Sequence, residues 1–213
     1  MHYLPIIGYY TYDVNGNLTA ASARSIPVTM TYDVFTNMTT KVSETGRKQK
    51  YQYDARNVRV MKTDSTKSTT AITLYLHGLN DYPLVEKTNA GVERRYIYGP
   101  TGVIVIKDGS NTLYVQKDHL GSTRVLYNTS GTAVTVYDYD AYGKTVGRVV
   151  NTAALYQFTG QEYETESNLH NFRARMYDDD LVDFYAVDPV GQTFAPYSYC
   201  AGNPVMLVDP TGR

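Results

Sequence analysis

Tyr10-Thr11-Tyr12-Asp13, Met30-Thr31-Tyr32-Asp33 and Tyr51-Gln52-Tyr53-Asp54 recur with steps of 20 and 21 residues between their aspartates. Tyr137-Asp138-Tyr139-Asp140 is a later copy, and Tyr96-Ile97-Tyr98-Gly99 a worn one. Each copy reads as a strand with tyrosines on one face, because residues two apart share a face of a β-strand. The aspartate ends the strand, since its carboxylate accepts hydrogen bonds from the backbone of the next turn. Turn residues come next (Asn15-Gly16-Asn17, Thr36-Asn37, Arg56-Asn57, Gly143), and then a second strand such as Leu18-Thr19-Ala20 or Val58-Arg59-Val60-Met61. One repeat is therefore one β-hairpin, and hairpins that pair edge to edge share a core.

Composition agrees with that reading. Of 213 residues, 26 are Thr, 22 Val and 22 Tyr, while Trp is absent. β-Branched and tyrosyl side chains fit a pleated, half-buried surface and lose rotamer freedom in helices. The expected class is all-β, with antiparallel hairpins joined by tight turns. At roughly ten residues per strand and turn, the chain supplies about twenty short strands. Lys and Arg number 20 against 21 Asp and Glu, which removes the electrostatic footprint of a nucleic-acid binder. A single cysteine, Cys200, excludes a disulfide framework, and the four histidines lack metal-ligand spacing. No metal or other cofactor is expected. No apolar run has the length of a membrane span, and Met1 does not lead into the basic segment and apolar core of a signal peptide.

The Tyr-Asp hairpins resemble the YD repeats of the Rhs (rearrangement hotspot) family, which includes the C components of insecticidal Tc toxins. More specific matches occur in order along the second half. Lys117-Asp118-His119-Leu120-Gly121-Ser122-Thr123-Arg124, Tyr139-Asp140-Ala141-Tyr142-Gly143 and Phe158-Thr159-Gly160-Gln161-Glu162-Tyr163 resemble successive signatures of the Rhs repeat-associated core. So do Phe172-Arg173-Ala174-Arg175-Met176-Tyr177-Asp178 and the tail from Asn203-Pro204-Val205 to Asp209-Pro210-Thr211-Gly212. On this basis residues 1–113 are YD-repeat hairpins and 114–213 a repeat-associated core. The resemblance implies a curved or spiralling sheet or partial shell with a C-terminal plug. It also implies that the shell encloses a C-terminal toxin or effector, released by a self-cleaving aspartic protease in the core. A bacterial protein that is secreted or held at the cell surface is the implied setting.

Two Asp-Pro-x-Gly elements, Asp188-Pro189-Val190-Gly191 and Asp209-Pro210-Thr211-Gly212, stand 21 residues apart, close to the family spacing. Aspartic peptide cleavage needs two carboxylates near one water, one ionised and one protonated, and proximity splits their titrations. Asp188 and Asp209 are the expected pair. Arg175 matches a family position tied to the protease, where its charge holds a carboxylate ionised or polarises the scissile carbonyl. Cleavage is expected behind Gly212 or Arg213. The competing reading makes each element a β-turn and Arg175 a structural ion-pair partner within a non-catalytic scaffold or surface interaction module. Where the family has Gly-Arg-Phe, this chain has Val182-Asp183-Phe184, and Arg213 replaces a large apolar residue.

Further expectations concern single elements. Tyr10, Tyr12, Tyr51 and Tyr53 should pack along one sheet face. A short helix is expected near Asn203 to Leu207, with Asn203 as cap and Pro204 at the first helical position. Asp178 to Asp180 reads as a solvated loop, His119 as a hydrogen-bonded structural histidine, and Gly143-Lys144-Thr145 as a hairpin turn. Open first and last edges favour either cargo binding or self-association.

Overall fold

The computed structural model describes residues 9–22, 24, 27–78, 81–150, 155–192 and 194–213. Within them, fourteen strands from Tyr10–Tyr12 to Thr145–Val150 form one antiparallel sheet, each pairing with its neighbours in sequence. Glu162–Glu164, Leu169–Asn171, Met176–Asp178 and Asp183–Phe184 make a second, four-stranded sheet. The class is all-β, as the repeats imply.

The Tyr-Asp step has a common physical basis in this sheet. Register shifts fall immediately before Tyr12, Tyr32, Tyr53 and Tyr139, so each copy carries a β-bulge that sharpens strand twist. The next residue, aspartate, closes the turn: Asp13 Oδ1 accepts from the Asn15 and Asn17 amides, and Asp54 Oδ1 from those of Arg56 and Val58. Amide donors at Thr36 and Phe35, with the Thr36 hydroxyl, hold Asp33 below the ordinary carboxylate range. The tyrosine then reaches back one hairpin. Tyr32 Oη donates to Leu18 O, Tyr53 Oη to Thr39 O, Tyr98 Oη to Pro83 O and Tyr139 Oη to Thr123 O. Each acceptor is the residue that sits opposite the bulge of an earlier hairpin: Leu18 faces Tyr12, Thr39 faces Tyr32, Pro83 faces His77 and Thr123 faces Lys117. The motif therefore staples neighbouring hairpins as well as ending a strand.

A flat sheet of fourteen strands would span about 60 Å. Yet the second sheet, with strands of two or three residues, touches both ends of it. Leu18 N–H donates to Tyr185 O near the start, and Thr123 N–H to Gln157 O near the end. Arg24, after the second strand, is 2.6 Å from Asp178, while Lys144, before the last, is 2.7 Å from Asp180. The large sheet thus curls around the small one. Between them lie Val28, Met30, Val42 and Tyr51 against Leu169, Met176 and Tyr185. Phe158, Phe172, Tyr177, Phe184 and Tyr199 form an aromatic centre within the C-terminal third.

Charge also joins the layers. Arg59 pairs with Glu162 and Glu164, and Lys62 with Glu164 at 2.7 Å, all buried. Arg59 also lies over the rings of Tyr51 and Tyr75. A buried carboxylate is tolerated when it is paired and hydrogen-bonded.

Three expectations need correcting. Tyr51 is buried and Tyr53 half-buried, but Tyr10 and Tyr12 are 42% and 51% exposed, because the first strand lies at the edge of the sheet, where Tyr12 meets the Tyr197 ring at 5.9 Å between centroids but stays half open to solvent. The expected helix is a single turn, closed by Leu207 N–H to Asn203 O, that comes after a left-handed turn at Cys200 and Ala201. Nucleation is costly, and Val205, Val208 and the Asp209-Pro210 step give propagation no support. The acidic run is no solvated loop, since Asp178 is fully buried against Arg24 and Tyr185, and Asp179 bonds His170. Residue 113 lies inside strand Asn111–Lys117, and the fourteen-stranded sheet ends at Val150. His119 meets its expectation with a hydrogen bond to Val205 O, and Gly143 sits in an Asp140-capped turn.

Candidate functional site

The tail Asp209-Pro210-Thr211-Gly212 lies in a cradle made by the second sheet and one of its turns. Strands Leu169–Asn171 and Met176–Asp178 are joined by Phe172–Arg175, in which Arg173 takes a positive φ of 67°. Asn171 Oδ1 holds that turn by accepting from the Arg173 amide. Every carbonyl of the tail meets a donor. Gln161 Nε2 approaches Asp209 O and Pro210 O at 3.4 and 3.2 Å. Ala174 N–H donates to Thr211 O at 3.2 Å, and Arg175 Nε to Gly212 O at 2.7 Å.

The tail amides are held from the other side. Asp209 Oδ1 accepts from Thr211, Gly212 and Arg213 at 3.1, 2.7 and 3.2 Å, and its Oδ2 accepts from Arg175 Nη2 at 3.3 Å. The Gly212–Arg213 peptide is consequently gripped at both ends, its oxygen by Arg175 and its nitrogen by Asp209. Gly212 is needed at this point: its φ is +70°, and a Cβ there would stand 2.5 Å from Phe172 O.

Arg175 is 4% exposed and lies over the Phe184 ring, its Cζ 3.7 Å from the centroid. Burial draws its guanidinium below the usual value, against the opposing charges of Asp209 and Asp188. Asp188 stands on the far side. Its own turn amides, Val190 and Gln192, donate to its two oxygens at 2.9 and 3.1 Å. Burial alone would raise this carboxyl, but those amides and the Arg175 charge outweigh it and leave it below the ordinary range. The Pro196 carbonyl links the two residues, accepting from Asp188 N–H and from Arg175 Nη1, both at 3.0 Å.

The structure therefore brings Arg175, Asp209, Gly212 and Arg213 into direct contact, and Asp188 joins them through Pro196 and through the Arg175 charge. Among the described residues no hydrogen bond connects the Asp188 and Asp209 side chains. Gln161, Ala174 and Pro196 escaped the sequence reading, because one acts by a neutral amide and two by backbone groups. Arg213 opens onto a cavity of about 360 Å³ that the large sheet closes with Tyr53, Arg56, Tyr75 and Tyr82.

No protein-family model matches the chain. Salivary gland surface protein 1 of Aedes aegypti is 30% identical over 220 residues, which is 95% of this chain and 6% of that protein. The tRNA3(Ser)-specific nuclease WapA of Bacillus spizizenii is 30% identical over 218 residues, 95% of this chain and 9% of its own. A crystal structure of TcdB2-TccC3 superposes with a TM-score of 0.78 at 16% identity, over 95% of this chain and 11% of the other. The same pair without its hypervariable C-terminal region gives 0.72 at 15% identity, over 97% and 13%. These likenesses support the Rhs family at a coarse level. The chain spans 6 to 9% of these two curated relatives, and the likeness to the solved structures is one of fold. None of its described helices is long and apolar enough to cross a membrane.

Proposed function

We propose that this chain is the repeat-associated core of an Rhs-type toxin, a curled shell and plug that cuts its own chain behind Gly212 to free a C-terminal effector. The observation that carries the reading is the grip on the Gly212–Arg213 peptide, with Arg175 on its carbonyl oxygen and Asp209 on its amide nitrogen. Hydrolysis forms a C–O bond at the Gly212 carbonyl carbon and breaks its bond to the Arg213 nitrogen. Arg175 Nε stabilises the oxyanion that develops as water adds. Asp188, held below the ordinary carboxylate range, serves as the ionised member of the pair and takes the water proton. Asp209 Oδ1 holds the leaving nitrogen by accepting from the Arg213 N–H, and the proton that Asp188 took from water passes on to that nitrogen as the bond breaks. The products are a Gly212 carboxylate and a free amine on Arg213.

The likeness to a TcdB2-TccC3 structure that lacks its hypervariable C-terminal region supports a shell that is separable from a C-terminal cargo. A toxin partner and a secreted or delivered bacterial protein belong to the same reading and draw support from the WapA likeness. The test is a fusion carrying a folded cargo after Arg213. Wild type should yield two fragments, whereas Asp188→Asn and Asp209→Asn should stay whole with unchanged far-ultraviolet circular dichroism, because the amide keeps shape without the carboxylate charge. Arg175→Ala should lower the rate about 10²- to 10³-fold, the range expected for losing an oxyanion donor. Fragments of equal yield from the Asn variants would remove Asp188 and Asp209 from the mechanism.

A second reading has one observation in its favour. Salivary gland surface protein 1 matches 95% of this chain, and its name places it at a surface. On that reading the fold is a scaffold and the cradle a structural clasp, and the wild-type fusion stays whole.

A further inference from the structure

We infer that Gln161 is the positioning residue for this cleavage, holding the Asp-Pro step so that the Gly212 carbonyl meets Arg175. The inference rests on the self-cleavage reading above. Gln161 is 3% exposed, and its side-chain amide faces two consecutive tail carbonyls, Asp209 O at 3.4 Å and Pro210 O at 3.2 Å. The tail's own amides do not serve those two acceptors: Pro210 has no amide hydrogen, and the amides of Thr211, Gly212 and Arg213 all point at Asp209 Oδ1. The Asp209 contact is buried and the Pro210 contact half-buried, and a buried carbonyl left without a donor carries its full desolvation cost, so the donor at Asp209 O fixes where this segment lies.

The backbone of Gln161 is fixed before its side chain acts. Gln157 N–H donates to Gln161 O at 2.8 Å, and Gln161 N–H donates to Phe158 O at 2.9 Å. Thr159 and Gly160 between them take positive φ values of 47° and 74°, which turns the chain so that residue 161 points into the tail. Ser122 Oγ accepts from the Thr159 amide at 3.0 Å and ties this turn to the large sheet. Gln161 touches neither the Gly212 carbonyl nor the Arg213 amide among its hydrogen bonds, so it acts on the reaction through the tail rather than on the reacting atoms.

Donor chemistry separates this role from simple packing. Gln161→Met keeps length and apolar bulk but donates nothing. Gln161→Glu keeps shape but, when ionised, turns a carboxylate toward two carbonyl oxygens; once protonated it regains one O–H donor. The experiment measures the first-order rate of cargo release from the full chain fused to a folded cargo. Wild type and both variants are compared from about pH 5 to about pH 8, the range in which a buried carboxylic acid titrates. Gln161→Met should be slower than wild type by about tenfold at every pH, corresponding to one lost hydrogen bond. Gln161→Glu should be slower still near neutrality, and its rate relative to wild type should recover as the pH falls. Wild-type rates in either variant, or a ratio of Gln161→Glu to wild type that stays flat with pH, would overturn the assignment. Loss of the cooperative thermal transition in both variants would also overturn it, since Gln161 would then serve the fold. An uncut wild-type fusion is a different result, because it removes the self-cleavage reading itself.

Discussion

Gly212 and Asp209 set the conformation of the tail, since one supplies a backbone angle and the other an anchor for three amides. An L-residue in the left-handed region costs roughly 1–2 kcal/mol before any contact is considered. At Gly212 the contact adds to that, with Phe172 O in the space a Cβ would fill. Gly212→Ala should therefore leave the cradle and slow cargo release at least about tenfold, while the melting temperature of the shell moves little. Rates equal to wild type would show that the tail reacts from some other position. The Asp-Pro-x-Gly elements and Arg175 were legible as residues, because each is a local pattern of turn and charge chemistry. Their arrangement was not: Gln161 meets the tail, and Pro196 joins Asp188 to Arg175, from segments that no spacing rule connects to them.

Hairpins arise from the repeat with little help from tertiary structure. Alternation in Arg47–Tyr53 puts Gln49 and Tyr51 inside and Lys48, Lys50 and Gln52 outside, as the strand period requires. What the repeat does not reveal by itself is the reach of its second tyrosine to the preceding hairpin. Tyr53→Phe deletes the donor to Thr39 O and should cost about 1 kcal/mol in urea unfolding. Tyr10→Phe, at the exposed edge, should cost almost nothing. Equal effects would mean that the hydroxyl staples contribute no stability. The second sheet is harder to read from sequence because its strands are two or three residues long, too short for alternation to register. Likewise the acidic run reads as solvated until folding brings Arg24 and Lys144, from opposite ends of the large sheet, onto Asp178 and Asp180.

Across the whole molecule, two buried carboxylates between the layers give opposite responses to pH. Burial alone would raise Glu164, but Arg59 and Lys62 hold it down to about 2. Its contribution is complete above the unfolded value of 4.5 and fades as pH falls toward 2. Glu86 behaves in the reverse sense. Burial and the nearby Glu162 charge push it up to about 7, against hydrogen bonds from Tyr96 and Tyr156. The folded state keeps this proton where the unfolded chain loses it, so stability from Glu86 falls as pH rises from about 4.5 through 7. Together they predict greatest stability near about pH 5, with a loss on the order of 3 kcal/mol toward about pH 8. Glu86→Gln cannot ionise and should flatten that limb in denaturation measured at those two pH values. An unchanged slope would assign the pH dependence to other groups.

The curled sheet, its plug and the gripped tail meet in one claim, that the Gly212–Arg213 bond is the bond this fold is built to cut. Intact-mass measurement of the purified wild-type fusion puts that claim to trial without any substitution. Self-cleavage predicts two masses, a shell ending at Gly212 and a cargo beginning at Arg213. A single mass equal to the uncut fusion, after incubation that leaves the protein folded, would contradict it.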